Sequence, residues 1–248
     1  MSRILDKIKR YWIKLRFRPI RIFVFHHVSD VYDPLLCGED EWTQTDQFKR
    51  NIRELQKRYQ FISLAEACHK LKHDVSRLRN YAVLTTDDGL ASVLNVIPWL
   101  EEQKIPLTLF VNTRFMERDI LKPISIERLK TIAPDADVLA IAKRMYLSKE
   151  QIFAFTSPLL EIGMHGHDHL NAQRISESRF EEDFEIGREI IQTHPRYIKA
   201  YAYPWGKHTI ESTTYMDKLG ILSLAVRKGK NYIWKPCLNR ECIDNIKL

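Results

Sequence analysis

Short apolar runs of strand length alternate with amphipathic helical segments along this chain, and that alternation is what most restricts its fold. Residues 21–25 (RIFVF), 81–86 (YAVLTT), 107–112 (LTLFVN), 159–164 (LLEIGM), 199–203 and 221–226 read as strands. Between them, 46–58 sets Phe48, Ile52, Leu55 and Tyr59 on one helical face. Further helices are expected over 90–103 with a break at Pro98, over most of 121–160, over 176–193, and over 209–219 with Gly220 as its stop. Ser63-Leu64-Ala65-Glu66 and Ser148-Lys149-Glu150-Gln151 have the capping-box pattern that opens a helix. Strands separated by helices predict a parallel sheet covered by helices, as a barrel or an open doubly wound sheet. No repeat, low-complexity run or linker divides the 248 residues, so a single α/β domain of barrel type is expected.

The net charge of +7 is not spread over that domain. Residues 1–21 hold eight basic side chains and one acid, Asp6, while the remainder holds 31 basic and 31 acidic side chains. A neutral body removes the main support for nucleic-acid binding, and no nucleic-acid partner is expected. Residues 3–16 (RILDKIKRYWIKLR) place Ile4, Ile8, Tyr11, Trp12 and Leu15 on one side of a helix. That fits a basic helix lying on an anionic membrane surface, or a terminal helix docked on its own domain. The expected organisation is a basic amphipathic segment at 1–20, able to meet a membrane through 3–18. A domain over 21–248 follows, with a helical insertion at about 121–147. No apolar h-region follows the basic stretch, and no run approaches the ~20 apolar residues of a spanning helix. Cys37, Cys68, Cys237 and Cys242 are scattered and form no disulfide framework. A cytoplasmic protein, peripheral at the inner membrane face, is expected.

Four chemically unusual clusters each follow a strand: His26-His27, Asp87-Asp88-Gly89, His165-Gly166-His167-Asp168-His169 and Tyr203-Pro204-Trp205-Gly206. In parallel α/β folds the C-terminal strand ends share one face, where active sites form. Adjacent carboxylates need a cation, hydrogen bonds or a raised pKa, although an Asp here can also be an ordinary helix cap. In a helical turn, the four-residue spacing of His165 and His169 would place both imidazoles on one face. With one carboxylate they make three ligands, as in zinc-type sites, and the set also suits Fe(II). His167 could replace either partner in an HxH pair. His26 or His27 offers an acid or base near neutral pH, the other being structural. Trp205 either stacks on a sugar or belongs to the core.

TTDDG (85–89), HGHDH (165–169) and AYPWG (202–206) resemble, in order, three motifs of the polysaccharide deacetylase family of carbohydrate esterases. The resemblance runs from about residue 22 to 226. It implies a distorted (β/α) barrel, here with an extra N-terminal helix, and metal-dependent removal of N- or O-acyl groups from sugars. By position it implies Asp87 as general base and Asp88, His165 and His169 as ligands of a divalent metal, Zn2+ first, with Fe, Co or Ni as alternatives. Tyr203, Pro204, Trp205 and Gly206 would shape the substrate groove, and a backbone N–H near Tyr203 would bind the oxyanion. The third motif usually carries an Arg that orients the base; Ala202 stands in its place. The family's late histidine is missing, since no His follows His208. In a permuted branch that acid comes from an N-terminal strand, and Phe25-His26-His27-Val28 resembles its pattern, which puts His26 forward as the acid. The substrate implied is an N-acylated sugar in cell-surface glycan biosynthesis, as a glycolipid intermediate or a nucleotide sugar. The alternative is a catalytically impaired, sugar-binding member of the same fold.

Overall fold

A computed structural model describes residues 11–74, 76–227 and 229–244. Its strands are β1 (Ile20–Phe25), β2 (His27–Ser29), β3 (Trp42–Gln44), β4 (Gln60–Phe61), β5 (Tyr81–Thr86), β6 (Leu107–Val111), β7 (Leu160–Met164), β8 (Tyr197–Ala202), β9 (Leu222–Val226) and β10 (Cys237–Cys242). Strands β1, β10, β9, β8, β7, β6 and β5 pair in that order, all parallel, and β5 returns to β1. The result is a closed barrel of seven strands. β4 adds to the edge of β5, and β2 pairs with β3 apart from the barrel.

Alternation along the strands divides two layers. Phe23, Phe25, Leu84, Leu109 and Ile162 pack outward against Phe48, Ile52, Leu100 and Phe184 of the surrounding helices. Ile20, Ile22, Val83, Phe110, Ala200, Leu224 and Leu238 fill the barrel. Gly163 has a packing reason: a Cβ there would lie 2.4 Å from the Phe110 ring. The barrel floor is closed by the helix Leu64–His73. Ser63 caps that helix by accepting from Glu66 N at 3.1 Å. Buried Glu161 adds a second cap, accepting from Leu64 N (2.8 Å), Ala65 N (3.2 Å) and Thr108 Oγ1 (2.9 Å). Its charge sits at the helix N-terminus, where the backbone dipole favours it.

Two expectations need correction. The break expected at Pro98 within 90–103 falls at Val96 instead, between a 3-10 turn Ala91–Asn95 and an α-helix Ile97–Glu102. The break precedes Pro98, which lies in the first turn of the second piece, where its missing N–H costs nothing. The strand at 221–226 is not the last: β10 follows and closes the barrel. CLNREC shows no apolar run because one of its interior positions is Arg240.

The stretch 121–147 forms helices Pro123–Ile132 and Val138–Met145. They build a small core of their own around Phe115, Leu129, Ile141 and Tyr146. Leu147 N donates to Gly89 O at 2.9 Å, which ties the end of this stretch to the loop after β5. Residues 11–16 are helical. Their Tyr11, Trp12 and Leu15 are 62%, 59% and 55% exposed, so these three side chains are not packed on the barrel. Ile4, Ile8 and the basic residues before Tyr11 lie outside the described residues. Among the described residues, no helix is long and apolar enough to cross a membrane.

Candidate active site

The register of β1 on β5 runs from Ile20–Tyr81 to Phe25–Thr86, so the chain leaves the two strands together at His26 and Asp87. Asp87 is buried inside the rim of the barrel. Arg240 reaches it from β10 with two parallel bonds, Nη1 to Oδ1 and Nη2 to Oδ2, both 2.7 Å. The guanidinium is fully buried, lies over the Phe110 ring at 5.4 Å, and also donates to Thr85 Oγ1 at 3.3 Å. Burial alone would push the Asp87 carboxyl up. Arg240, with His165 and His26, outweighs it and holds the group below the usual carboxylate range.

Asp88 turns the other way because its backbone is left-handed, at φ 69°. Lys122 Nζ donates to its Oδ2 at 2.5 Å. Its Oδ1 is buried, accepts no hydrogen bond, and faces His169 Nε2 at 3.2 Å and His165 Nε2 at 3.6 Å. Burial raises the Asp88 carboxyl, but Lys122 and the two imidazoles more than offset it and hold it well below the ordinary value.

The two histidines are brought together by a loop rather than by the helical turn expected from their spacing. Gly166 and His169 are left-handed, at φ 80° and 57°, and fold the chain back on itself. Asp183, from the helix Glu177–Ile191, pins this loop by accepting from His167 N (2.9 Å) and Asp168 N (2.8 Å). Asn112 Nδ2 donates to His165 O. His165 Nδ1 lies 2.8 Å from the carbonyl of Ala202. A carbonyl only accepts, so Nδ1 carries the proton and the bare Nε2 points at Asp88. Burial pushes the His165 imidazole down to about 4, so it is neutral at physiological pH. A carboxylate oxygen without a donor and imidazole nitrogens therefore converge on one point. Asp88, His165 and His169 offer ligand atoms within 4.8 Å of one another. A cation between the groups would satisfy all three atoms at once, and the O,N,N donor set suits a divalent transition metal.

His26 is oriented from behind by Asp244, just past β10. Its backbone N donates to Oδ1 at 2.9 Å, and Nδ1 meets Oδ2 at 2.5 Å. Burial would lower the imidazole, but the Asp244 charge and hydrogen bond raise it well above the ordinary histidine value. His27 points elsewhere: it is 3% exposed, pairs with Trp42 across β2 and β3, and burial lowers it.

His26, Asp87, Asp88, Lys122, His165, His169, Trp205 and Gly206 border one cavity of about 200 Å³, joined by Glu41 and Cys242. Trp205 is half exposed, with its ring 5.4 Å from His169. Other expected residues lie elsewhere. His167 bonds Thr113 Oγ1 at 2.8 Å and stands outside the ligand cluster, so no HxH pair forms. Tyr203 and Pro204 are buried and do not border the cavity. The Tyr203 ring stacks on Phe180 at 6.0 Å. Its own N–H donates to Leu224 O at 2.9 Å and is taken up by the sheet. Arg240, Asp244, Lys122, Glu41 and Asp183 were not singled out from sequence. The only available signal was the absence of the third-motif Arg, which called for a substitute elsewhere.

Comparisons agree with this picture. The sequence model of the polysaccharide deacetylase family matches residues 74–223, more than half of the chain. Among solved structures, IcaB from Ammonifex degensii is similar at a TM-score of 0.71 and 20% identity, covering 93% of this chain and 94% of that one. The de-N-acetylase from Aggregatibacter actinomycetemcomitans is similar at 0.69 and 17%, covering 92% and 95%. The Streptococcus pyogenes deacetylase PplD, in complex with acetate, is similar at 0.66 and 18%, covering 92% and 93%. Among curated proteins, none matches the sequence.

Proposed function

Because the chain belongs to the polysaccharide deacetylase family, we propose that it is a metal-dependent hydrolase that removes an N-acetyl or other acyl group from a sugar in cell-surface glycan biosynthesis. The observation that carries this reading is the buried Asp88 Oδ1, without a donor and facing two imidazoles, in the same cavity as Asp87 and His26. Asp88, His165 and His169 hold the cation, with Zn2+ the first expectation and Fe, Co or Ni compatible with the same donors. A divalent cation in this position supplies Lewis acidity, polarising an acyl carbonyl and lowering the pKa of a water.

The residues of the chain do the rest. Asp87, kept ionised by Arg240, takes the proton of the attacking water. Arg240 also locks the carboxylate's orientation, as a bidentate guanidinium does. His26, kept protonated by Asp244, gives its proton to the departing amine, which cannot leave as an anion. Trp205 offers an aromatic face to the sugar ring, and Gly206 continues that wall.

A sugar-binding member that has lost catalysis is the second reading. Its basis was a missing third-motif Arg and a missing late His. Arg240 on Asp87 and Asp244 on His26 supply equivalent pairings from other positions, which favours catalysis. The PplD structure holds acetate, in line with acetyl as the acyl group here. For the substrate we favour a lipid-linked glycan intermediate over a nucleotide sugar. In this reading residues 1–20 are a peripheral anchor at the inner membrane face, 21–248 are the catalytic domain, and 121–147 are an insertion. Exposed Tyr11, Trp12 and Leu15 support the anchor.

The test is metal analysis of the purified protein coupled to acetate release from N-acetylated glycolipids. Stoichiometric metal and release that is lost in Asp87→Asn are expected. Unchanged turnover in that variant would remove Asp87 as base. A chain lacking residues 1–18 should lose co-sedimentation with anionic liposomes.

A further inference from the structure

A second set of metal-ligating atoms borders the same cavity. His26 Nδ1 lies 2.5 Å and Cys242 Sγ 3.1 Å from Asp244 Oδ2, and the three ligand atoms lie within 4.8 Å of one another. One imidazole nitrogen, one sulfur and one carboxylate oxygen form a donor set that suits Zn2+. Zinc bond lengths would hold such atoms roughly 3.3–3.8 Å apart, so modest side-chain separation opens the centre. His26 and Cys242 both line the cavity, which leaves a fourth position for water.

This cluster differs from the Asp88 cradle in one decisive way. Both Asp244 oxygens already have donors, Oδ1 from His26 N and Oδ2 from His26 and Cys242. It is complete without a cation, so protons and metal compete for it, and it fills only after the cradle does.

We propose that His26, Cys242 and Asp244 form a second, inhibitory site for a thiophilic divalent cation, Zn2+ above all. The cation bonds Nδ1, Sγ and Oδ2, displacing the proton on Nδ1 and the thiol proton to solvent. His26 is left as a neutral imidazole bearing one proton on Nε2. It no longer holds the extra proton that the departing amine needs, so excess metal stops turnover. The inhibitory consequence rests on His26 being the acid; the binding site does not.

Cobalt separates the two. Full-length protein freed of metal is titrated with Co2+. The first equivalent should give visible d–d bands without sulfur charge transfer, because Asp88, His165 and His169 supply no sulfur. The second should add a near-ultraviolet sulfur-to-cobalt band. Cys242→Ser should keep the first phase, its own control for folding, and lose the second. No such band at excess Co2+, or one that persists in Cys242→Ser, overturns the site. With Zn2+, each protein's deacetylation rate is referred to its own rate at one equivalent. The wild-type rate should fall more than tenfold beyond one equivalent, and that of Cys242→Ser should hold. A sulfur band without that fall overturns the inhibition. If the bands appear but no acylated sugar is turned over at one equivalent, the hydrolase reading fails and the sulfur site stands.

Discussion

Two of the buried carboxylates, one on the barrel floor and one at its rim, differ in what surrounds them. Glu161, on the floor, has donors on both oxygens: Oε2 accepts from Leu64 N and Thr108 Oγ1, and Oε1 from Ala65 N. Asp88, at the rim, has Lys122 on Oδ2 and no donor on Oδ1. A buried polar atom without a partner costs about 1–3 kcal/mol, more when charged, so the chain retains that arrangement against its own stability. Burial and charge alone would make the two acids look alike. The completeness of their hydrogen bonding marks one as part of the scaffold and the other as a ligand.

The largest expected effects test the rim. Asp88→Asn should lose bound metal on dialysis and with it acyl release, as read by metal analysis. Asp87→Asn should keep its metal and lose about 10²–10⁴-fold in kcat. If the two variants lose metal alike, the division of labour between these neighbours is wrong. Lys122 sits between the two classes. It is a cation on the ligand's far oxygen, supplied by the stretch expected to be an insertion. Lys122→Met should weaken metal affinity about 10–100-fold, the usual cost of an outer partner, with Lys122→Arg recovering part of it in a competition titration.

The floor should respond differently. Glu161→Gln is expected to cost about 1–3 kcal/mol of stability, seen as a lower Tm, with kcat per folded molecule unchanged. A loss of kcat without loss of Tm would break the contrast between floor and rim.

The smallest effect is a displacement along the pH axis. Asp244 raises the His26 imidazole, so the proton stays on through neutral pH and is lost as pH rises through the raised value. The associated stability is fully present below the unfolded value of about 6.5 and fades over that same rise. Asp244→Asn removes the largest raising influence and leaves burial opposed only by the weaker effects of Cys242 and Asp87. The alkaline limb of kcat should therefore move to lower pH at one equivalent of metal. An alkaline limb that stays in place would detach Asp244 from the acid.

Much of the fold was legible because its signals are local. RIFVF, YAVLTT and LLEIGM are short, mostly apolar runs, and they are β1, β5 and β7 within a residue at each end. Asp87, Asp88, His165 and His169 stood out because each lies just past such a run. The His165–His169 pair was legible in membership but not in form. A four-residue spacing suggests a helical turn, whereas Gly166 and a left-handed His169 make a loop held by Asp183. Tyr203 was misjudged because strand-end position does not say which way a side chain faces. Its ring went to the core and its N–H to the sheet.

By itself the sequence determined the α/β alternation, the seat of the excess charge in residues 1–21, and the acids and histidines that share the rim. Only the tertiary structure decided what holds them. Arg240 lies 153 residues from Asp87 along the chain, Asp244 lies 218 from His26, and Lys122 lies 34 from Asp88. Such partners depend on which strands become neighbours and which way each pleat turns. Neither is written in the residues nearby: in CLNREC an arginine reads as a surface charge, and only barrel closure through β10 turns it inward onto Asp87.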